Sequence, residues 1–403
     1  MPFPEPDQAV PVGLHAEVLE DPSGRLRLAD VADPGMAERF APVGREAPNF
    51  GYNESPHWLR FSLPRRDGPL VAPLLVLEIR FPSIDHLELH VPYRTPSGIE
   101  YRVQRAGDMV PWVERGVKHR NHVFRIPTTG LADAPAYLCL QTQSVLTVPA
   151  FLWRPEDFVT YDRNAQMAYG LFYGLIAALF LYNLMIFLSL RDPIYLWYVL
   201  YVGAFGIGLS AFDGFAFQYL WPGSVWWANH ALGTALCATL VFGGLFARSF
   251  LDLPAIALFA NRFLLAVVGL AAFGAVCAAT GWLLPYGTIM RGLSVTACAG
   301  AGVVLYAAVR AMLRGYRPAG FFLLAWAALL VFIALGALRN FAIVPTNFVT
   351  INGLHIGLAM DVVLLSFALA DRIAAITRDK EVAQAAALAS NNALLSATLA
   401  AER

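Results

Sequence analysis

The chain has 403 residues, of which 57% are hydrophobic and 14% charged, and its formal net charge is zero. Soluble domains carry about 25% charged residues, so a wholly soluble protein is excluded, and the neutral balance supplies no bulk attraction for nucleic acid. Residues 1–160 have the proline- and arginine-rich composition of a globular domain, 166–370 form a series of apolar runs broken by short polar turns, and 371–403 turn polar again. This order predicts a soluble domain, a membrane domain and a helical tail.

The opening MPFPEPDQAV has neither a basic n-region nor an apolar h-region, so no secretory signal is legible in it. An exported first domain would then depend on a signal removed from, or left off, this sequence. Basic charge is almost all arginine, the lysines being Lys118 and Lys380. Of the cysteines, Cys139, Cys237, Cys277 and Cys298, only the first lies outside the apolar block, so the soluble domain makes no internal disulfide. Neither a CxxC pair nor a zinc spacing occurs.

The first domain reads as a run of short strands. HWLRFSL (57–63) sets Trp58, Arg60 and Ser62 against Leu59, Phe61 and Leu63, and Trp58 reads as a core residue in preference to a ligand platform. LLVLEI (74–79) is a buried run, HLELHV (86–91) alternates strictly, and HVFRIP (122–127), AYLCLQT (136–142) and VLTVPAFLW (145–153) follow. With turn signals between them and no sustained helical period, they predict an antiparallel β-sandwich or jelly roll.

Two constellations there are candidates for binding. His86, Glu88 and His90 share a strand face by the period of two, a weak candidate for a metal beside the plainer reading of a solvated face. Trp112, Glu114, Arg115, Lys118, His119, Arg120 and His122 combine aromatic and basic groups on a predicted surface loop. That chemistry suits an anionic or sugar ligand, or a surface lying against lipid headgroups or a partner domain.

An apolar run of about 20 residues spans the hydrocarbon core, and seven are present. They run over Gln166–Leu188, Ile194–Phe212, His230–Leu251, Phe263–Leu284, Met290–Met312, Phe321–Phe341 and Val349–Ala370. The turns after the first, third and fifth carry Arg191, then Arg248 and Arg262, then Arg310, Arg314 and Arg317, and the tail adds Arg372, Arg378 and Lys380. The opposite turns hold only Arg291 and Arg339. The excess places the arginine-bearing turns and the tail in the cytoplasm and the first domain outside, with Trp221, Trp226 and Trp227 at the outer interface.

Polar residues within such spans mark packing or function because their burial in hydrocarbon is costly. Asn183 is placed to bond across to a neighbouring helix, and Asp213 and Arg339 are candidate partners near outer ends. Asp361 lies on one stripe with Gly353 and Gly357, since residues four apart share a helix face. The glycines permit close approach of another helix, so Asp361 is expected to face the bundle, as helix glue or as a switch. Gly170 and Gly174 repeat the small-residue spacing in the first span, and His355 lies off the Asp361 stripe. No catalytic constellation recurs on facing spans and no glycine-rich phosphate loop precedes a lysine, so the reading includes no enzyme activity and no cofactor.

The last span leads without proline or glycine into the tail, where Ala385, Leu388, Asn392, Leu395 and Leu399 follow steps of three and four. This is a short seam of coiled-coil type diluted by alanine, and its asparagine favours a parallel dimer. A solvated alanine-rich helix is the alternative.

Three features carry a resemblance in their order and spacing: Tyr182–Asn183 in the first span, the RDP turn at Arg191–Pro193, and LADRI at the end of LLSFALADRI (364–373). HWLRFSLP (57–64) and GDMVPWVERGVKHRNHVFRIP (107–127) extend it into the first domain. Over residues 15–380 the chain resembles the bacterial seven-transmembrane receptors with diverse intracellular signalling modules. The resemblance implies a periplasmic jelly-roll domain similar to carbohydrate-binding modules, a seven-helix sensor block, and a coiled-coil link to a cytoplasmic output of diguanylate cyclase or histidine kinase type. The sequence departs from that pattern by stopping at Arg403, which implies an output module beyond this sequence or on a separate partner.

The expectation is therefore an inner-membrane receptor that senses a periplasmic small molecule, carbohydrate or envelope protein. It acts as a homodimer, and Gly353, Gly357, Asp361, Asp371, Arg372 and Asn392 lie on the signal's exit. The rival expectations are a transporter or channel subunit with a periplasmic lid, and an envelope scaffold. The absence of an internal repeat and the scarcity of intramembrane charge argue against transport.

Overall fold

The computed structural model describes residues 1–64, 74–143, 145–340, 344 and 348–401, with only the backbone at 52, 145, 337, 340, 379, 390 and 393–401. The expected end of the sixth span at Phe341 and the side chains of Leu395 and Leu399 lie outside the described residues. The chain forms two compact units. One gathers Met1–Gly174, Trp197–Gly243 and Ala266–Ala299, and the other Leu175–Leu196, Gly244–Leu265 and Gly300–Arg403.

Among the described residues the first unit contains an all-β domain of twelve strands. They are β1 (Val10–Pro11), β2 (Glu17–Glu20), β3 (Ala41–Pro42), β4 (Asn49–Tyr52), β5 (His57–Phe61), β6 (Leu74–Ile79), β7 (His86–Thr95), β8 (Gly98–Ala106), β9 (His122–Pro127), β10 (Ala136–Gln141), β11 (Val145–Thr147) and β12 (Ala150–Trp153). A six-stranded sheet in the order β3-β2-β5-β10-β7-β8 and a four-stranded sheet in the order β1-β12-β6-β9 enclose the core, and β11 pairs with β4. All pairings are antiparallel.

Period-two alternation supplies the core. Leu59 and Phe61 of β5, Leu87, Leu89 and Val91 of β7, and Leu138 and Leu140 of β10 point inward from one sheet. They meet Leu75, Leu77 and Ile79 of β6, Phe124 and Ile126 of β9, and Leu152 of β12. Burial stabilises each such side chain by about 1.5–3 kcal/mol. β6 reads as a continuous apolar run because it is covered on both faces. Its Val76 joins Val123 and Trp153 in a second cluster against Phe158 and Tyr161, which belong to the helix that follows the sandwich.

The expected strand 145–153 divides at Val148–Pro149, its halves pairing in different sheets. The strand at 86–91 runs on to Thr95 and turns into β8, a mostly exposed strand absent from the expected set although its Ile99, Tyr101 and Val103 alternate with Glu100, Arg102 and Gln104. On the outer face of the six-stranded sheet Trp58 is buried with Leu19, Val31, Phe40 and Tyr137, as its strand position predicts. A short helix, α1 (Leu28–Val31), contributes Val31 to that cluster.

The remaining helices are α2 (Pro155–Leu190), α3 (Pro193–Phe212), α4 (Phe215–Tyr219), α5 (Val225–Phe250), α6 (Leu253–Ile256), α7 (Leu258–Thr280), α8 (Tyr286–Leu313), α9 (Pro318–Asn340), α10 (Phe348–Ile351) and α11 (Gly353–Ala401). Among the described residues seven helices, α2, α3, α5, α7, α8, α9 and α11, are long and apolar enough to cross a bilayer, and the protein is a multi-pass membrane protein.

Several helix ends differ from those expected. α2 begins at Pro155 rather than Gln166, because a proline at the first position and Glu156 and Asp157 in the first turn suit a helix amino terminus. α7 stops at Thr280, where Gly281 takes a left-handed φ of 67°, and leaves Trp282, Leu283 and Leu284 outside. The last long helix starts at Gly353, after the separate α10, and then runs unbroken for 49 residues.

Candidate functional site

In the first unit the site is the loop between β8 and β9. Gly107, with φ 138°, lets the chain press against the carbonyl of Asp85, where a Cβ would collide. Asp108 N then donates to Ile84 O at 2.8 Å, and Trp112–Glu114 make a single 3₁₀ turn.

From that turn the side chains point into the helices. Trp112 meets the Phe217 ring of α4 edge-on at 5.8 Å. The Arg115 guanidinium lies 4.8 Å from the Phe217 ring and 5.2 Å from that of Trp112, and its Nη2 donates to Gly107 O at 2.8 Å. His119 Nδ1 accepts from Asn121 N at 3.1 Å, so its Nε2 is the donor to Asp162 Oδ1 of α2 at 2.9 Å. Arg120 lies over Tyr169 of α2 at 4.5 Å and Phe215 of α4 at 5.3 Å. Beneath it, Gly214 (φ 82°) brings the turn before α4 so close that a Cβ would sit 2.5 Å from Arg120 O. His122 Nε2 donates to Pro82 O at 3.1 Å. Burial and the nearby Arg115 push the His122 pKa down to about 3, so the ring is neutral.

These placements correct the expectation of a surface loop. Trp112, Arg115, His119, Arg120 and His122 are buried, and of the seven candidate residues only Glu114 and Lys118 are exposed. The aromatic and cationic groups fasten the sandwich to α2 and α4, and cation–π contacts of this kind strengthen as they lose water.

Beside the loop, Tyr173 of α2 donates to Asp213 Oδ2 at 2.5 Å. An open cleft of about 380 Å³ lies between α2 and α4, lined by Tyr169, Gly170, Tyr173, Phe215 and Tyr219. Among the described residues Gly170 has nothing within 4 Å of where a Cβ would be, so its smallness serves no helix contact there. The sequence reading also missed Glu78. This fully buried carboxylate accepts from Asn121 Nδ2 at 2.7 Å, Arg80 Nε at 2.9 Å and Trp153 Nε1 at 3.1 Å. Its one sequence signal is an acid inside an apolar strand run.

The metal candidate on β7 does not assemble. Glu88 accepts from Arg105 Nε at 2.7 Å, His90 is buried and stacked 5.7 Å from the Trp58 ring, and His86 is exposed. Among the described residues no three His, Cys, Asp or Glu side chains gather as metal ligands.

In the second unit the site is the exit along α11. Gly353 and Gly357 face α9, where added Cβ atoms would stand 3.3 Å from Phe332 O and 3.0 Å from Phe332 Cβ. Asp361, one turn on, is fully buried as its stripe predicts. Asn183 of α2 donates across to Ser366 Oγ at 3.3 Å, as the sequence anticipates, and back to Leu179 O at 2.9 Å. Arg339 donates to Thr350 O at 3.1 Å.

At the end of the span Tyr195 Oη donates to Leu369 O at 3.3 Å, and Arg372 Nη1 pairs with Asp192 Oδ2 at 2.8 Å. Asp192 does double duty, because its Oδ1 also accepts from Ile194 N at 3.0 Å and caps α3. Asp371 is half-buried next to this pair, and Asn392 is exposed on the free part of α11.

Comparison with known families agrees with this architecture. A family model described as 7TM diverse intracellular signalling matches residues 165–372, and one described as 7TMR-DISM extracellular 2 matches residues 13–154. No curated protein matches the chain. The chain therefore belongs to the seven-transmembrane receptors with diverse intracellular signalling modules, multi-pass membrane receptors with a signalling role.

Proposed function

We propose that this receptor sits in a bacterial inner membrane with its sandwich in the periplasm and its tail in the cytoplasm. The arginine excess in alternate turns supports that orientation. A small molecule, a carbohydrate or an envelope protein engages the sandwich, and the loop at 112–122 passes the change to the helices. The signal leaves along α11 to a cytoplasmic output of cyclase or kinase type, and a dimer formed through the tail presents two such helices side by side. The chain acts as the sensor and performs no chemistry itself.

The observation that carries this reading is the course of α2. One continuous helix of 36 residues holds the sandwich loop through Asp162 and holds α11 through Asn183. A stimulus shifts such a system only by its differential affinity for two states, so a helix gripped near both ends is a suitable carrier of that difference.

The test is an output domain fused after Arg403. Substituting His119→Ala or Asn183→Ala should change basal output or its response to stimulus, with the protein still inserted and folded. Output unaltered by both changes, or strong solute flux through proteoliposomes carrying the protein, would overturn the receptor reading.

A further inference from the structure

Just below the sandwich core, two acids are fixed side by side. Backbone bonds from Asp108 N to Ile84 O at 2.8 Å and from Met109 N to Asp85 O at 3.3 Å tie the end of the β8 segment to the start of β7. Glycine at 107 permits that approach, because a Cβ there would collide with the Asp85 carbonyl. Asp85 is supplied with donors, Thr142 Oγ1 to Oδ1 at 3.2 Å and Gln143 N to Oδ2 at 3.1 Å. Asp108 keeps one oxygen unsupplied: its Oδ1 is closed off from solvent and has no hydrogen-bond partner.

The same cluster holds the complementary orphan. Arg115 is buried, its Nη2 is bonded to Gly107 O, and its Nε has no partner. Its guanidinium rests instead on the Phe217 and Trp112 rings. A buried donor and a buried acceptor left unpaired in one cluster each carry a desolvation cost that pairing would remove. In this geometry they stay apart, with the guanidinium resting on the rings and not on the carboxyl.

We propose that Asp85, Asp108 and Arg115 form a proton-responsive latch, in which loss of a proton from the acid pair to solvent draws Arg115 off the Phe217 ring of α4 and onto the Asp108 carboxylate. This rests on the receptor reading above and names its stimulus: the proton activity of the compartment that the sandwich faces. The groups facing Asp108 are Asp85, with His86 beyond it, from the segment before β7; Arg115 from the following loop; and Tyr286 from α8. Arg115 in turn faces the neutral His122.

Burial first, and then the adjacent Asp85, raise the Asp108 pKa to about 8, against the opposing pull of Arg115. Burial lowers Arg115 to about 10, so it stays charged through the range in which Asp108 titrates. Below the midpoint the acid is neutral and the arginine grips α4. Above it the pair is anionic, an ion pair replaces the cation–π contact, and the tie between sandwich and α4 loosens.

The test uses the full chain in lipid nanodiscs, with 5-fluorotryptophan incorporated and the Trp112 resonance assigned by its loss in Trp112→Phe. Between pH 6 and 10 the Trp112 resonance should titrate with a midpoint near 8. Asp108→Asn should abolish the titration, and Asp85→Asn should retain it with the midpoint moved down by about one pH unit, because a like charge is removed. That downward shift keeps the proposal testable should Asp108→Asn fail to fold, and a purely structural role would not produce it. A Trp112 resonance that does not titrate, one that titrates unchanged in Asp108→Asn, or a midpoint unmoved in Asp85→Asn would overturn the latch. If Trp112 titrates through Asp108 while an output domain fused after Arg403 ignores pH but responds to His119→Ala, the proton is overturned as the receptor's stimulus; if that output is also unaltered by His119→Ala and Asn183→Ala, the receptor reading itself fails.

Discussion

Arg372 and Asp192, 180 residues apart in sequence, form an ion pair of 2.8 Å that joins the end of the membrane-spanning part of α11 to the turn that starts α3. The hydroxyls of Tyr195 and Tyr316 also face the Arg372 guanidinium. The RDP turn and the LADRI end, two separated sequence features of the family resemblance, are thus the two halves of one contact. Its position, where α11 continues into the polar tail, makes it a hinge for whatever the tail carries.

Removing either partner should loosen that hinge. Arg372→Ala and Asp192→Ala should each alter basal output of a fused reporter. The pair is partly exposed, so its coupling energy in a double-mutant cycle should be no more than about 1 kcal/mol. Asp192→Ala should cost more than Arg372→Ala in thermal unfolding, since it also removes the cap on Ile194 N. Equal costs would mean that the cap contributes nothing.

Close packing of α9 on α11 depends on Gly357. Gly357→Leu must displace Phe332 and Leu329, whose nearest atoms lie 3.0 and 3.4 Å from the added Cβ. Overpacking of this kind costs about 1–3 kcal/mol. The expected result is a lower unfolding temperature and weaker cross-linking between cysteines introduced at the facing positions of the two helices, with Gly353→Ala milder because its nearest neighbour is 3.3 Å away.

At the sandwich base Arg120 is a planar cation over two rings. Arg120→Lys keeps the charge and loses the stacked fork, and should weaken the contact by about 0.5–2 kcal/mol. Hydrogen exchange should rise in residues 112–122 and in the first turns of α4. Exchange unchanged in Arg120→Lys would show that charge alone holds the loop.

Glu78→Ala should be more severe. It strands Asn121, Arg80 and Trp153 donors around an empty buried position, and breaking a buried network of this type costs about 3–5 kcal/mol. Glu78→Gln retains an acceptor and should lose less. Urea unfolding followed by Trp153 fluorescence separates the two.

Asp108 and His122 give the junction a pH profile with a definite sign. Asp108 is raised from 3.8 to about 8, so its contribution is complete below pH 4 and is lost as pH rises to 8. His122 is lowered from 6.5 to about 3, so its contribution is complete above pH 6.5 and is lost as pH falls to 3. The opposing slopes cancel between about pH 4 and 6.5. From there to pH 8 stability should fall by about 2 kcal/mol, at 1.36 kcal/mol per pH unit for one proton. Asp108→Asn should flatten that alkaline fall and leave the acid limb in place; a fall that persists in this variant would assign it to another group.

Much of the architecture was legible locally. Trp58, Leu59, Phe61 and their alternating neighbours betrayed the sandwich, and the length of the apolar runs gave seven spans. The stripe Gly353, Gly357, Asp361 announced its buried face through its spacing of four. β8 was overlooked although Ile99, Tyr101 and Val103 alternate with polar residues, because its apolar side chains stay mostly exposed and add little to the core, and the separate α10 was merged with α11 because only Asn352 parts it from Gly353. The loop at 112–122 misled for a related reason. Arginine, histidine and tryptophan in an irregular segment resemble a solvated surface until the helices that cover them are in place.

The sequence by itself determined the β domain, the seven spans and the continuous helix of α11, because alternation, run length and the absence of helix breakers act between residues close in the chain. Only the tertiary structure decided that Arg115 and Arg120 are buried on aromatic rings, that Glu78 collects three donors, and that Asp192 meets Arg372. Each of those relations exists only when distant segments are brought together and water is excluded between them. A charge acquires its role from the partners and burial that folding supplies, and residue type alone does not encode them.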